Sequence, residues 1–156
     1  AMSQVGNREP GLVGATLHHG AMSAGLIADG IHVHPASLAL ALRAKTGPGR
    51  IFLVSDSMSQ AGTDLESFTL NGRTIYRKDG ALRLEDGTLA GADLTLDAGL
   101  RYMHATFGLD LGEVIRMATL YPAQAIGADR GKLVPGSRSD VVHLAGDLTA
   151  KRVWIA

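Results

Sequence analysis

Two apolar segments in the first third of the chain predict a strand, a helix and a second strand in succession. The apolar run 26–28 leads into the alternating segment 31–34, which predicts a strand end with two histidines on one face. Pro35 suits the first turn of a helix that is rich in alanine and leucine and continues to Lys45. The uninterrupted apolar run 51–54 is typical of a strand that is buried on both faces.

This order of elements predicts where two polar side chains lie. A strand, helix and strand in succession are almost always a right-handed crossover between parallel strands, so both strands end at one edge of the sheet. His32 follows the first strand, and Asp56 ends the second. Because ligand sites in parallel sheets and barrels lie along that edge, we expect these two side chains to converge on one site.

The middle of the chain has a different pattern, with short strand-like runs separated by turn signals. Asn-Gly and Asp-Gly are preferred two-residue hairpin turns, and they predict an antiparallel meander. We interpret this region, at about residues 66–90, as an insertion or a lid. The turn pairs are Asn71-Gly72, Asp79-Gly80 and Asp86-Gly87.

Two helices and two short strands are predicted after the meander. Asp93 is expected to cap a helix that closes at Gly108. Asp110 and Glu113 resemble a capping box at the start of the next helix, and Pro122 limits that helix. The strand-like runs of the tail are 141–144 and 152–155.

Composition excludes several classes of function. The 156 residues include 15 basic and 15 acidic side chains, so no net charge attracts nucleic acid or an anionic membrane. Cysteine is absent, which excludes disulfides and thiolate metal sites. No apolar run approaches the ~20 residues of a membrane helix, and the first residues lack a signal-sequence core, so we expect a cytoplasmic protein.

Histidine spacing raises the question of a metal site. On a strand, His32 and His34 would point the same way, as a pair of metal ligands does. A zinc site needs three or four protein ligands, however, and the remaining histidines are scattered along the chain. We therefore predict no complete metal site within this chain. Taken singly, His32 and Asp56 each have an ordinary structural interpretation as well.

Several segments in order carry a resemblance to a known family. They are GNREPGL at 6–12, IADGIHV at 27–33, LVSD at 53–56, LAGADLT at 89–95, MATLYPAQAIG at 117–127 and GKLVPGSRSD at 131–140. Together they resemble N-acetylglucosamine-6-phosphate deacetylase, a metal-dependent family of the amidohydrolase superfamily. The first three segments are specific to this deacetylase, whereas the last one specifies only the superfamily.

The resemblance implies an α/β fold that is the C-terminal part of a (β/α)₈ TIM barrel. Residues 1–127 would be a partial catalytic barrel carrying the β-hairpin insertion, and residues 128–156 would be strands of a small β-sandwich domain. An eight-stranded barrel takes ~250 residues, which is more than this chain contains. In the family, the metal-binding residues would precede Ala1, so we expect the chain to be inactive by itself.

The resemblance also implies a reaction and the residues that perform it. The family hydrolyses the acetamide of N-acetylglucosamine 6-phosphate to glucosamine 6-phosphate and acetate, using water activated by a divalent metal ion, zinc or iron. Asp56 matches the catalytic aspartate, which acts as general base and then as general acid. Arg8 matches an arginine that binds the sugar phosphate in the neighbouring subunit of a homodimer. The other matches to substrate-binding positions are Ala1, Asp29, Gly30, Ile31, His32, Leu89, Ala90 and Gly91.

Two alternatives stay open at the level of the sequence. Another amidohydrolase, such as a cyclic-amide hydrolase, would share the superfamily segment at 131–140. A module without catalytic activity, retained for assembly or ligand capture, would share the fold and lose the chemistry.

Overall fold

The computed structural model of the protein describes residues 4–156. These residues form an α/β fold with one parallel pair of strands, a four-stranded antiparallel meander and a two-stranded hairpin. The strands are β1 (Ala24–Ile27), β2 (Ile51–Val54), β3 (Ser67–Leu70), β4 (Arg73–Lys78), β5 (Ala81–Leu84), β6 (Leu89–Ala92), β7 (Val141–Leu144) and β8 (Ala150–Trp154). The helices are α1 (Gly11–His18), α2 (Pro35–Ala44), α3 (Leu96–Phe107), α4 (Leu111–Ala118) and α5 (Leu120–Ala125).

The predicted strand, helix and strand at the start of the chain are confirmed. β1 and β2 pair in parallel, with Ile27 opposite Val54 at their carboxyl ends. Pro35 opens α2, and Nδ1 of His34 caps this helix by accepting the backbone N–H of Ala36 at 3.2 Å. Both strands therefore end at the same edge of the sheet.

The predicted strand end at residues 31–34 is wrong. β1 stops before this segment, and the chain turns at Asp29, whose Oδ1 accepts the backbone N–H groups of Ile31 and His32 at 2.9 Å each. Gly30 adopts a φ of +73°, which side chains other than glycine rarely tolerate. This segment forms a hydrogen-bonded turn despite its alternating pattern, because the backbone N–H groups bind the Asp29 carboxylate instead of a neighbouring strand.

The predicted meander is confirmed as an antiparallel sheet of β3 to β6, and it extends to Ala92. Its first two turns are tight hairpins in which the turn residues have positive φ, as type I′ turns require. These turn residues are Asn71, Gly72, Asp79 and Gly80. The last turn, at residues 85–88, is two residues longer and places Gly87 at a φ of +86°.

The predicted cap of α3 at Asp93 is wrong. The chain stays extended until Thr95, which directly precedes the helix. The Asp93 carboxylate instead pairs with Nε of Arg77 in β4 at 3.1 Å, so a charged partner in the meander holds it away from the helix end. The helix closes at Gly108, at a φ of +63°, as predicted.

α4 begins as predicted, but it ends for a different reason. The Asp110 side chain accepts the backbone N–H of Glu113 at 3.0 Å, whereas the Glu113 carboxylate accepts the hydroxyl of Tyr121 at 2.9 Å instead of completing a capping box. The helix breaks at Thr119, whose φ of −131° is not helical. Pro122 lies inside the first turn of α5, where the absence of an N–H is tolerated.

The main core lies between the parallel strands and the helices α2 to α5. Its buried members are Leu26, Ala28, Leu38, Ile51, Leu53, Leu100, Met103, Val114, Met117 and Tyr121. A second cluster of Ile27, Ala92 and Leu94 joins the end of β1 to the end of the meander. The meander therefore returns to the edge where the parallel strands end. None of the helices within residues 4–156 combines the length and apolar character needed to cross a membrane.

Candidate active site

The carboxyl ends of β1 and β2 carry the polar residues that the sequence singles out. In the parallel register Ile27 lies opposite Val54, so Asp29 and Asp56 leave the sheet at the same level. His32 follows Asp29 within the same turn. The structure therefore places His32 and Asp56 at one edge of the sheet.

The turn after β1 holds the His32 ring from one side. Nδ1 of His32 lies 2.6 Å from Oδ2 of Asp29, and these side chains are only 6% and 5% exposed. Burial acts to raise the pKa of the Asp29 carboxyl, but hydrogen bonds from the His32 ring and from two backbone N–H groups outweigh it and lower this pKa. The other ring nitrogen, Nε2, is buried without a hydrogen-bond partner in residues 4–156.

The residue at the end of β2 is exposed, yet its backbone is fixed. Asp56 has a φ of +53°, in the left-handed region that aspartate tolerates better than most residues. Its carbonyl oxygen accepts the N–H of Ala92 at 2.9 Å. Its carboxylate is exposed and, among the residues described, accepts no hydrogen bond. The side chain is thus available to a ligand on a backbone that is held in place.

The predicted segment 89–91 lies on β6 and reaches Asp56. A Cβ built on Gly91 would lie 2.9 Å from Sδ of Met58 and 3.1 Å from the carbonyl oxygen of Asp56. Only glycine allows this approach without displacing a neighbour. The structure therefore brings the third predicted segment to the same edge as the first two.

Two side chains that the sequence analysis did not single out hold the loop after Asp56. Gln60 is 1% exposed, and its Nε2 donates to the carbonyl of Ala92 at 3.2 Å. Arg77 of β4 donates to the carbonyls of Gln60 and Thr63 at 2.9 Å each. These contacts join residues far apart in sequence, so no local sequence pattern predicts them.

The turn after β1 is held between the meander and α3. A Cβ built on Gly80 would lie 3.3 Å from Cδ1 of Ile31, so the tip of the β4–β5 hairpin lies against this turn. On the other side, a Cβ on Gly30 would lie 2.6 Å from the hydroxyl oxygen of Tyr102. The meander therefore contacts the segments after both parallel strands.

The assignments of two predicted site residues, Ala1 and Arg8, stay predictions. Ala1 lies outside the described residues. Arg8 is exposed in the segment that precedes α1. Its contact with a phosphate group in a neighbouring subunit stays a prediction.

The described residues do not fit a metal ion by themselves. No group of three or more histidine, aspartate or glutamate side chains within residues 4–156 is placed to hold one. His34, the second member of the histidine pair, uses its Nδ1 to cap α2. A zinc site needs three or four protein ligands, and the described side chains of this edge do not supply them.

The edge nevertheless combines groups suited to acid–base chemistry on a polar ligand. The exposed carboxylate of Asp56 can accept and return a proton when a ligand lies within hydrogen-bond reach. The oriented ring of His32 offers one nitrogen to a hydroxyl or amide group. The missing side chain of Gly91 lets β6 pack closely against Met58 and the backbone of Asp56, which helps to hold Asp56 in place.

Comparison with known proteins identifies the family of the chain. No protein-family model matches the chain. The chain is 40% identical over 156 residues to a relative from Escherichia coli K12 with the provisional name N-acetylgalactosamine-6-phosphate deacetylase, and covers 92% of it. It is also 40% identical to N-acetylgalactosamine-6-phosphate deacetylase of Escherichia coli O157:H7, covering 41% of that protein. It is 32% identical to N-acetylglucosamine-6-phosphate deacetylase of Vibrio furnissii, covering 37% of it. These matches cover 99%, 99% and 96% of this chain, so it spans about two fifths of the two longer relatives.

Solved structures lead to the same family. N-acetylglucosamine-6-phosphate deacetylase from Pasteurella multocida superposes with a TM-score of 0.88 at 31% identity, over 96% of this chain and 39% of that one. A variant of the Mycobacterium smegmatis enzyme in complex with N-acetyl-D-glucosamine-6-phosphate has a TM-score of 0.87 at 29% identity, over 99% and 42% of the respective chains. The resemblance found in the sequence is confirmed, and the chain belongs to the family of N-acetylglucosamine- and N-acetylgalactosamine-6-phosphate deacetylases.

Proposed function

We propose that this chain contributes the Asp56 edge of an enzyme that hydrolyses the acetamide of N-acetylglucosamine 6-phosphate to glucosamine 6-phosphate and acetate. One observation carries the proposal: an exposed carboxylate on a fixed backbone lies at the same sheet edge as the oriented His32 ring. Membership in the deacetylase family supplies the substrate class, which the geometry alone does not.

Asp56 performs both proton transfers in this proposal. Its carboxylate takes a proton from the water that attacks the acetyl carbon, and it returns the proton to the sugar nitrogen as the C–N bond breaks. The exposed side chain supports this role because no group within residues 4–156 holds it. The backbone contacts with Gly91 and Ala92 support it as well, since acid–base catalysis depends on accurate positioning.

The turn and the β6 segment bind the sugar in this proposal. Nε2 of His32 hydrogen-bonds the substrate, while Asp29, Gly30 and Ile31 form the rest of the binding turn. Leu89, Ala90 and Gly91 line the other side through their backbone. Arg8 binds the 6-phosphate in the neighbouring subunit of a homodimer, because a guanidinium group can hold two phosphate oxygens at once.

The proposal includes polypeptide beyond the described residues. We propose that β1, α2 and β2 belong to a (β/α)₈ barrel in residues 1–127, and that β7 and β8 belong to a small β-sandwich in residues 128–156. The divalent metal ion that the family resemblance implies, zinc or iron, would be held by residues outside this chain. A cytoplasmic location stays a prediction as well.

A second substrate, N-acetylgalactosamine 6-phosphate, differs from the first in the configuration at one sugar carbon. The observation that favours it is the identity of 38–40% to the relatives named for the galactosamine compound, against 32–38% to those named for the glucosamine compound. The reaction would be the same, with different contacts to one sugar hydroxyl.

Acetate release tests the proposed reaction. The assay uses both sugar 6-phosphates with the chain alone and with the chain mixed with a separately expressed N-terminal portion of a full-length relative. We expect acetate release in the mixture and not with the chain alone. Hydrolysis of a cyclic amide, with no release from either sugar phosphate, would favour the other amidohydrolase class. Absence of every hydrolytic activity in an assembled mixture would favour a module without catalytic activity.

Removal of the proposed phosphate contact gives a sharper test. Arg8→Ala is expected to impair turnover of the 6-phosphate sugar far more than turnover of the same sugar without phosphate, because only the former uses the guanidinium group. Arg43→Ala, at an exposed arginine near the end of α2, is the matched control and should affect neither substrate. An equal loss on both sugars with Arg8→Ala would contradict the phosphate assignment.

A further inference from the structure

We infer that Asp29 is a positioning residue: it holds the His32 imidazole with its proton on Nδ1 and thereby presents Nε2 to the substrate as a hydrogen-bond acceptor. The identity of that substrate rests on the proposed function, whereas the state of the ring is a property of this chain. The sequence match assigns Asp29 a direct substrate contact, and the geometry assigns it an indirect one.

Both oxygens of the Asp29 carboxylate already accept hydrogen bonds within the turn. Oδ1 accepts the backbone N–H groups of Ile31 and His32 at 2.9 Å each, and Oδ2 lies 2.6 Å from Nδ1 of His32. The side chain is 5% exposed. Both oxygens are therefore already engaged within the turn, so the carboxylate acts on the ligand through the ring.

The hydrogen bond fixes which ring nitrogen carries the proton. An ionised carboxylate only accepts hydrogen bonds, and the lowered pKa of Asp29 keeps it ionised at neutral pH. Nδ1 of His32 must therefore donate. In the neutral ring Nε2 then has no proton and accepts a hydrogen bond, so its partner on the ligand is a hydroxyl or the amide N–H group.

The nitrogen that would accept this hydrogen bond has no partner within the described residues. Nε2 is buried and has no hydrogen-bond partner in residues 4–156, although buried polar atoms are nearly always paired. The turn that carries it is fixed by the contact of Ile31 with Gly80 and by the closeness of Gly30 to Tyr102. The ring is therefore oriented before any ligand arrives.

A purely structural role of Asp29 makes a different prediction from a positioning role. If Asp29 only closed the turn, Oδ1 would suffice, and Asp29→Asn would leave the ring unchanged. If Asp29 fixes the ring, the amide of Asp29→Asn can keep Oδ1 on the backbone while its NH₂ group faces Nδ1. Nδ1 must then accept, and the proton moves to Nε2.

Two-bond ¹H–¹⁵N NMR of the histidine side chains distinguishes the two tautomers directly. The spectra use the ¹⁵N-labelled chain at a pH where the rings are neutral, and His32→Gln identifies the His32 signals. We expect the Nδ1–H pattern in the unmodified chain and the Nε2–H pattern in Asp29→Asn. Asp86→Asn is the matched control, since Oδ1 of Asp86 accepts the N–H of Thr88 at 2.9 Å in a similar turn. It should leave the His32 signals unchanged.

Either of two results would overturn the inference. One is an Nε2–H tautomer of His32 in the unmodified chain, which remains informative even if Asp29→Asn does not fold. The other is a folded Asp29→Asn that keeps the Nδ1–H tautomer. In the mixture that releases acetate, Asp29→Asn should also reduce kcat/KM on the order of tenfold, because one hydrogen bond to the substrate is lost, and Asp86→Asn should leave it unchanged. The NMR measurement needs no substrate, so its outcome is independent of acetate release. The wrong tautomer together with acetate release would contradict only the positioning role of Asp29. The expected tautomer without acetate release would contradict only the proposed function.

Discussion

The segments that follow β1 and β2 lie at the same sheet edge but are built in opposite ways. After β1, the Asp29 carboxylate is buried and hydrogen-bonded to the His32 ring and to two backbone N–H groups. After β2, the backbone of Asp56 is held by Ala92, while its carboxylate is exposed. The two aspartates therefore have different uses. The hydrogen-bonded carboxylate of Asp29 orients the His32 ring, whereas the exposed carboxylate of Asp56 can exchange a proton with a ligand.

The largest expected effect is the loss of activity on replacement of the exposed Asp56. Asp56→Asn should lower the rate of acetate release by about 10²- to 10⁴-fold, the range typical of general acid–base catalysis. Substrate affinity and thermal stability should change little, because asparagine also tolerates the φ of +53°. Initial rates and thermal melting measure the two effects.

Asp79→Asn is the matched control for this change. Asp79 has a φ of +52° in a hairpin turn of the meander, so the same chemical change is made in the same backbone conformation. It should retain full activity. Retained turnover in Asp56→Asn would show that Asp56 is not the general base and acid, and the proposed difference between Asp29 and Asp56 would be lost.

The next effect concerns the buried turn and is one of stability. Gly30→Ala should lower the free energy of unfolding by about 2–3 kcal/mol, because it strains a φ of +73° and brings Cβ within 2.6 Å of the Tyr102 hydroxyl oxygen. Gly87→Ala, at a φ of +86° with no atom within 4 Å, introduces the strain alone and should lower it by about 1 kcal/mol.

Urea unfolding measures both free energies. Adding Tyr102→Phe to Gly30→Ala should recover part of the loss, since it removes the nearest atom. Equal losses in the two single variants would show that the packing of α3 against the turn adds nothing to its stability.

A third aspartate, Asp97, is hydrogen-bonded but does not orient a histidine. Its replacement is expected to have the smallest effect on stability. Burial acts to raise the pKa of the Asp97 carboxyl, but hydrogen bonds from Thr95, Ala150 and Arg101 outweigh it and lower this pKa to about 2. The folded pKa lies below the ordinary value of 3.8, so this carboxylate stabilises the fold above about pH 4, and the contribution disappears as pH falls towards 2.

Asp97→Asn should therefore lower the free energy of unfolding by about 1–2 kcal/mol at pH 7 and by much less near pH 2. Urea unfolding at both pH values measures the difference, and His32 should keep its tautomer. A loss that does not depend on pH would show that the charge of Asp97 contributes nothing to stability.

The sequence predicts those parts of the fold that local signals control. Pro35 and the alanine- and leucine-rich segment after it locate α2, and the Asn-Gly and Asp-Gly pairs locate the first two hairpins of the meander. The general geometry of parallel strands is enough to place His32 and Asp56 at one edge.

Features that depend on particular contacts are missed. The alternation at 31–34 suggests a strand until the hydrogen bonds of Asp29 are known, and Asp93 resembles a helix cap until its pairing with Arg77 is known. Arg77 also holds the loop after Asp56 through backbone carbonyls. Such contacts depend on how the meander folds back onto the sheet edge, and no periodicity in the sequence encodes them.

The most direct test of the account is a structure of the acetate-releasing mixture, carrying Asp56→Asn to slow turnover, with N-acetylglucosamine 6-phosphate bound. We expect the acetamide within about 3 Å of the side chain at position 56, with a substrate hydroxyl or N–H donating to Nε2 of His32. A sugar bound elsewhere, for example in the cavity of about 210 Å³ lined by Arg50, Glu113 and Tyr121, would contradict it.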